Sequence, residues 1–312
     1  MTTATLSPPS KRMSTSTSAP ALSVVMASVN GWETLGATLR SIDALPERGR
    51  IEVIVVDRVG GTTRDRLNAH RPAVNLIAND DRLSIPRLRY RGVCQSRGDL
   101  VAILEDHAEV DPAWASALID AHAGPWGAVG GPVENGKTGW INDAGFLCEY
   151  AAYMAPVPDG ESSDLPGNNI AYKRDDLLRH AHLLDEGKWE SWINDRLRNE
   201  GIPLASAAGA VVRHIKPFRL GNFLTQRFHF SRSYAGMRRP DQSVARRLIY
   251  GLGSAILPAL LLARTARTAA SKGRLGEFAR CLPLLALFFV VGAIGEMVGY
   301  LIGPGRSLDR VE

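Results

Sequence analysis

Residues 100–107 read LVAILEDH, and this stretch decides the fold. Five apolar residues run unbroken into Glu105, Asp106 and His107, after a Gly98-Asp99 break. An apolar run of that length with β-branched members fits a strand buried on both faces, as in a parallel sheet. The acidic pair and the imidazole then fall at the strand's carboxyl end, where open α/β sheets hold their ligands. Two carboxylates and a ring nitrogen can supply oxygen and nitrogen ligands to a divalent cation. A solvated strand-to-loop corner is the plainer reading, and the flanking segments decide between the two.

Upstream, LSVVMAS (22–28), IEVIVV (51–56) and residues 74–78 predict three more strands. Helical spacing between them covers Trp32 to Ala44, Arg64 to Ala69, and Ser84 to Ser96 with Pro86 in its first turn. Strands alternating with helices in this way predict an α/β fold with a doubly wound, mainly parallel sheet. Downstream, Asp111-Pro112 opens a helix through Ile119, and Trp126 to Val133 predicts a fifth strand. Residues 134–164 show little periodicity and predict a long, partly ordered loop. GNNIAYKR (167–174) restores order, followed by a helix from Asp175 to His180 and a second, WESWINDRLRNEG (189–201), closed by Gly201. Short strands are expected near Leu204 and from Ala210 to His214. One domain therefore spans 22–216, divided into halves 22–107 and 108–216. Residues 1–21, polar and rich in Ser, Thr and Pro, predict a disordered tail without the apolar core of a signal peptide.

The last third differs in kind. A basic amphipathic linker helix is expected within 217–247, with QRFHFSRSYAGMRR (226–239) at its centre. Two apolar segments follow, Leu248 to Ala263 and Leu282 to Ile302, in a membrane-associated region 248–303 ahead of a tail, 304–312. A bilayer-crossing helix takes ~20 apolar residues, so the second is long enough and the first is short. Arg238, Arg239, Arg246 and Arg247 before the first segment, and Arg264, Arg267, Lys272, Arg274 and Arg280 after it, both ask for the cytoplasmic side. If that segment crosses, one flank breaks the charge rule; otherwise it is re-entrant or lies in the interface. The net charge of +5 is concentrated here, which suits a phosphate-bearing ligand or an anionic membrane. No zinc spacing, helix-turn-helix or aromatic-basic RNA motif is present, so a nucleic-acid partner is not expected. Three widely spaced cysteines fit a reducing compartment.

The segments LSVVMASVNGWETLGATLRSI, IEVIVVD and PRLRYRGVCQSRGDLVAILEDH together resemble the nucleotide-sugar-binding half of family 2 glycosyltransferases with the GT-A fold. GNNIAYKR and WESWINDRL resemble that family's acceptor half, in the same order. The resemblance implies an inverting transferase that moves a sugar from a nucleotide-diphosphate donor, UDP being favoured, to an acceptor hydroxyl. A sugar or lipid-linked acceptor at the cytoplasmic face of the inner membrane is the implied partner. Ser28, Asn30, Asp57, Arg89, Glu105 and Asp106 are the implied nucleotide-sugar contacts. Asp57 would read the base with a carboxylate, whereas Arg58 stands where the family commonly has a second acid. The metal motif, usually Asp-any-Asp, is here Glu105-Asp106-His107, with Asp106 the main ligand and Glu105 and His107 supporting. Mn²⁺ or Mg²⁺ is the implied cofactor, the imidazole tilting the choice to Mn²⁺. Glu190 takes the position of the general base, where flanking tryptophans would desolvate it and raise its basicity. Asn168 and Asn169 fall at the acceptor wall, and His214, Arg227 and Arg232 are candidate diphosphate contacts. Two other readings stay open: a catalytically silent nucleotide-binding scaffold at a membrane, and a nucleotidyltransferase. The second lacks the expected glycine-rich basic loop after the first strand. No G-x-G-x-x-G joins that strand to its helix, which disfavours a dinucleotide-dependent oxidoreductase.

Overall fold

A computed structural model describes residues 19–70 and 74–312, so most of the expected N-terminal tail lies outside the described residues. The elements run β1 (Leu22–Ser28), α1 (Trp32–Asp43), β2 (Ile51–Asp57), α2 (Gly61–His70), β3 (Val74–Ala78), α3 (Ile85–Val93) and β4 (Leu100–Glu105). Next come β5 (Ala108–Val110), α4 (Trp114–Ala121), β6 (Ala128–Gly130), β7 (Val133–Asn135), α5 (Trp140–Tyr150), β8 (Gly160–Glu161) and β9 (Asn169–Lys173). Then follow α6 (Arg174–His180), α7 (His182–Asp185), α8 (Glu190–Asn199), β10 (Leu204–Ser206) and β11 (Val212–His214). The last helices are α9 (Leu220–Arg238), α10 (Val244–Gly253), α11 (Leu257–Ser271) and α12 (Leu275–Ile302).

The main sheet has the order β3-β2-β1-β4-β9-β6-β10-β8. Its first four strands are parallel, and β9 then runs antiparallel between β4 and β6. Every residue of β1 and β2 is buried, as expected of central parallel strands covered on both faces. Because β1 pairs with β2 from Leu22↔Ile51 and with β4 from Leu22↔Leu100, the carboxyl ends of three strands open at one edge. α3 is pressed onto that edge through Gly92, where an added Cβ would lie 2.5 Å from a Val25 methyl. A second, three-stranded sheet has the order β5-β11-β7.

Two expectations are corrected. The single strand predicted across Trp126 to Val133 is two strands in different sheets, β6 and β7. The chain changes sheet at Gly131, which touches the Ala210 backbone so closely that a side chain would collide with its carbonyl. The predicted loop 134–164 contains α5, which buries Ala144, Phe146, Leu147 and Tyr150. Its apolar residues are spaced for a helix, but Asn142, Asp143 and Gly145 among them mask the pattern. Within the expected linker segment lies the nineteen-residue α9, which has no clear separation of apolar and polar faces. The apolar segments become α10, α11 and a 28-residue α12.

Candidate active site

The site begins where β4 ends. Glu105 closes the strand, and the backbone turns at once into β5, which pairs antiparallel with β11. The register His214↔Ala108 brings His214 beside His107. The two rings meet edge to face with centroids 4.8 Å apart, and Phe218 stacks on His214 at 4.8 Å. Glu105, His107 and His214 thereby present ligand atoms that all lie within 4.8 Å of one another.

Asp106 does a different job from the one expected of it. Its Oδ2 accepts from the backbone amides of Val29 and Asn30 at 2.7 and 2.8 Å. Its Oδ1 accepts from Asn30 Nδ2 at 2.7 Å and lies 2.9 Å from His107 Nδ1. Four partners fill the lone pairs of a carboxylate, so Asp106 is 1 % exposed and without a free lone pair for a cation. It fixes the turn after β1 and orients His107, the role of an outer partner to a ligand. The ligand-capable atoms that the fold brings together are those of Glu105, His107 and His214, two of them within the expected tripeptide, while Asn30 supports Asp106.

The electrostatics of the set are those of a cluster arranged for a cation. Burial works against ionisation of Glu105, but the charge and hydrogen bond of His107, whose Nε2 is 3.1 Å away, outweigh it and hold the carboxyl well below the usual range. Burial also opposes the charge on His107, yet Glu105 and Asp106 together lift it to about 9. Burial, and then the neighbouring charge of His107, push His214 down to about 3. One imidazole thus carries the positive charge that two carboxylates demand, while the other stays neutral, with Nδ1 unpaired among the described residues. An orphaned, neutral, buried imidazole beside a carboxylate fits a divalent metal ligand.

A cavity of about 450 Å³ spreads from this cluster between the sheet edge, α5, α8 and α9. On one wall Glu190, the first residue of α8, is 1 % exposed. Its Oε2 is 2.8 Å from Arg89 Nη1, and its Oε1 has no partner among the described residues. The environment expected for Glu190, desolvation between tryptophans, is corrected to a buried ion pair. Arg89, expected on the donor diphosphate, lines the cavity, pairs with Glu190 and stands 3.9 Å from Glu105, with Trp189 beneath its guanidinium and its Nε unpaired among the described residues. Asn168 also lines the cavity, and both its amide atoms are buried and unpaired among the described residues.

The opposite wall comes from α5 and α9. Arg227 lines it, 3.9 Å from Glu149. Burial raises Glu149 to about 6, against the pull of Arg227. Tyr150 reaches Glu105 from the same helix, its hydroxyl donating at 3.4 Å. Glu149, Tyr150 and Lys216 are site residues that the sequence reading missed, the first two because α5 was taken for loop. The last residues of the chain enter too: Val311 is buried against Ile85 and Leu88, and Glu312 lies by Gln226.

Four expected site residues point elsewhere. Asp57 has its acceptor positions filled by Ser28 Oγ, the amides of Val59 and Gly60, and Arg64 Nε, at 2.9 to 3.2 Å. It shapes the turn between β2 and α2 and does not line the cavity, and Ser28 is its donor. Asn169 accepts from Trp114 Nε1 and donates to Ala210 O, stitching β9 to its surroundings. Arg232 donates to the Gly303 carbonyl at 3.1 Å.

Residues 23–177 match the family model for glycosyl transferase family 2. Human polypeptide N-acetylgalactosaminyltransferase 15 is 32% identical over 108 residues, which is 33% of this chain and 17% of that protein. The chain thus matches only a small part of that relative's length. The mannosyltransferase PcManGT from Pyrobaculum calidifontis, solved in complex with GDP-Man and Mn²⁺, superposes with a TM-score of 0.57 at 18% identity. The superposition covers 90% of this chain and 88% of that one, a likeness of fold. Over residues 23–177 the chain belongs to glycosyl transferase family 2, and it carries the GT-A fold.

Proposed function

We propose that the protein is a metal-dependent, inverting glycosyltransferase that moves a sugar from a nucleotide-diphosphate donor to an acceptor hydroxyl at a membrane face. The observation that carries this reading is one cavity lined by both a triad able to ligate a cation and a buried carboxylate with an unpaired oxygen. Its volume falls within the ~300–1,000 Å³ of small-molecule sites.

Glu105, His107 and His214 would hold the cation, and two imidazoles favour Mn²⁺ over Mg²⁺. A divalent cation there supplies positive charge for the diphosphate as it departs. Arg89 holds Glu190 by Oε2 and leaves Oε1 to accept the acceptor hydroxyl's proton. The oxygen of the acceptor hydroxyl then bonds to the anomeric carbon as the bond from carbon to phosphate oxygen breaks, and the nucleoside diphosphate leaves with the electron pair. One displacement from the opposite face inverts the anomeric centre. Arg227 and Lys216, on the far wall, are placed to meet phosphate oxygens. UDP remains the favoured nucleotide from the sequence. The two helical stretches Val244–Ser271 and Leu275–Ile302, each long and apolar enough to cross a membrane, support a membrane location and a lipid-linked or glycan acceptor on the cytoplasmic side.

Donor screening with purified protein, Mn²⁺ and membrane lipids tests the reading through release of free nucleoside diphosphate. A silent scaffold is the second reading, favoured by the ion pair that ties up half of Glu190; donor binding without release selects it.

A further inference from the structure

α12 shows two unlike faces. Its buried stripe, Cys281, Leu285, Phe288, Gly292, Gly295 and Gly299, recurs at alternating intervals of four and three residues. It meets α9 along the length of that helix: Phe288 packs on Phe223 with rings 4.6 Å apart, Gly295 touches the Phe228 carbonyl, and a Cβ on Gly299 would sit 2.5 Å from the Arg232 carbonyl. The amino-terminal part of α12 is fastened to α5, where Arg280 pairs with Asp143 at 2.7 Å and accepts from Trp140 Nε1 at 2.9 Å. The opposite stripe, Leu287, Val290 and Ile294, is exposed.

A helix crossing a bilayer needs apolar or satisfied surroundings over its whole span. Here the partner along that span is α9, which carries Gln226, Arg227, His229, Arg232 and Arg238 and lines the polar cavity. Moving α12 across the membrane would either strip it from α9 or drag those charges into hydrocarbon, where charged side chains are costly. α10 and α11 follow the same plan. α10 leans on α12 through Tyr250 and Tyr300, with rings 5.5 Å apart, and exposes Val244, Leu248, Ile249 and Leu252. α11 buries Thr265 and Ala269 and exposes Leu260. The chain breaks between them in a single 3₁₀ turn at Ser254–Ile256. Residues 242–276 hold six basic side chains and no acidic one, complementary to an anionic surface.

We propose that the exposed faces of α10, α11 and α12 form one platform that lies in the plane of an anionic bilayer surface and crosses it nowhere. The proposal rests on the membrane reading above and replaces its two apolar spans with an in-plane raft. The conflict between the two basic flanks disappears, because both lie on the same side. The cavity wall made by α9 is then separated from the lipid by α12 alone, within reach of an acceptor whose carrier stays in the membrane.

The test uses the full chain added to sealed vesicles of phosphatidylcholine with or without phosphatidylglycerol. In a background carrying Cys94→Ser, single cysteines are placed at Asp241, Ser271 and Arg306, all exposed, and probed from outside with an impermeant maleimide. The expected result is co-flotation that depends on phosphatidylglycerol, with all three sites labelled before lysis. Protection of the Ser271→Cys site alone until lysis would show a hairpin crossing and overturn the proposal while keeping the membrane reading. Failure to float on either vesicle, with a stable dimer in sedimentation, would give the face to a second copy and overturn both. Arg264→Glu with Arg267→Glu should weaken binding to anionic vesicles about tenfold or more, and Leu248→Glu with Ile249→Glu should weaken it as well. Neither pair should shift the melting temperature; unchanged flotation in both pairs would sink the assignment of this face.

Discussion

The two walls of the cavity use buried polar groups in opposite ways. Outside the cavity Asp57, and at its floor Asp106, are saturated with hydrogen bonds and do structural work. Above it, Glu190 Oε1, the Asn168 amide, His214 Nδ1 and Arg227 Nε are equally buried yet unpaired among the described residues. An unmade buried hydrogen bond costs ~1–3 kcal/mol, so a fold that keeps several in one cavity gives up stability that a ligand can return. The saturated acids are scaffold, and the unsaturated groups are where chemistry is expected.

Substitutions in the two sets should therefore fail differently. Glu190→Gln should show the largest effect, a fall in turnover of ~10²–10⁴-fold with donor affinity kept, read as nucleoside diphosphate release beside calorimetry. Retained turnover would remove Glu190 as base. His214→Ala comes next: metal-dependent donor binding should weaken by more than the ~10–100-fold typical of an outer partner, with little loss of melting temperature. Asp106→Asn should do the reverse, costing ~1–3 kcal/mol of stability while metal binding, though weaker, persists. If Asp106→Asn abolishes metal binding in a protein that melts normally, Asp106 rejoins the ligands. Asp57→Asn should likewise lower the melting temperature more than it changes donor affinity.

The smallest effect concerns pH. The folded state raises Glu149 from 4.5 to about 6, so folding favours its protonated form. Its contribution to stability is full below about pH 4.5, falls as pH rises to about 6, and is lost above. Glu149→Gln should flatten that segment of the stability profile, by of order 1 kcal/mol given the partial exposure of the side chain. An unchanged profile would show that Glu149 does not titrate there.

Much of this was legible from residue order. The buried parallel strands announced themselves because apolar, β-branched runs have few other uses, and LVAILEDH marked the site through its position at a strand end. Which member of the Glu-Asp-His tripeptide faces the cavity was not legible. That depends on β5 turning back to pair with β11, a long-range register that sets His107 beside His214. Asn168 and Asn169 make the same point at the entry to β9: one meets the cavity and the other meets Trp114. α5 was hidden by its own polar residues, and with it Glu149 and Tyr150. The saturation of Asp57 was also out of reach, since Arg64 is a helix residue whose partner only the fold supplies.

The glycines of α12 carry a consequence for how this protein can vary. Gly292, Gly295 and Gly299 key the helix to α9 as teeth fit a ratchet, and inserting one residue would rotate everything beyond it by ~100°. Side chains would then stand where the Phe228 and Arg232 carbonyls now lie. The outer stripe has no such lock, so Leu287, Val290 and Ile294 can exchange with other apolar residues at little cost. One helix thus has a face closed to change and a face open to it, and its surface can be retuned without disturbing the site behind it.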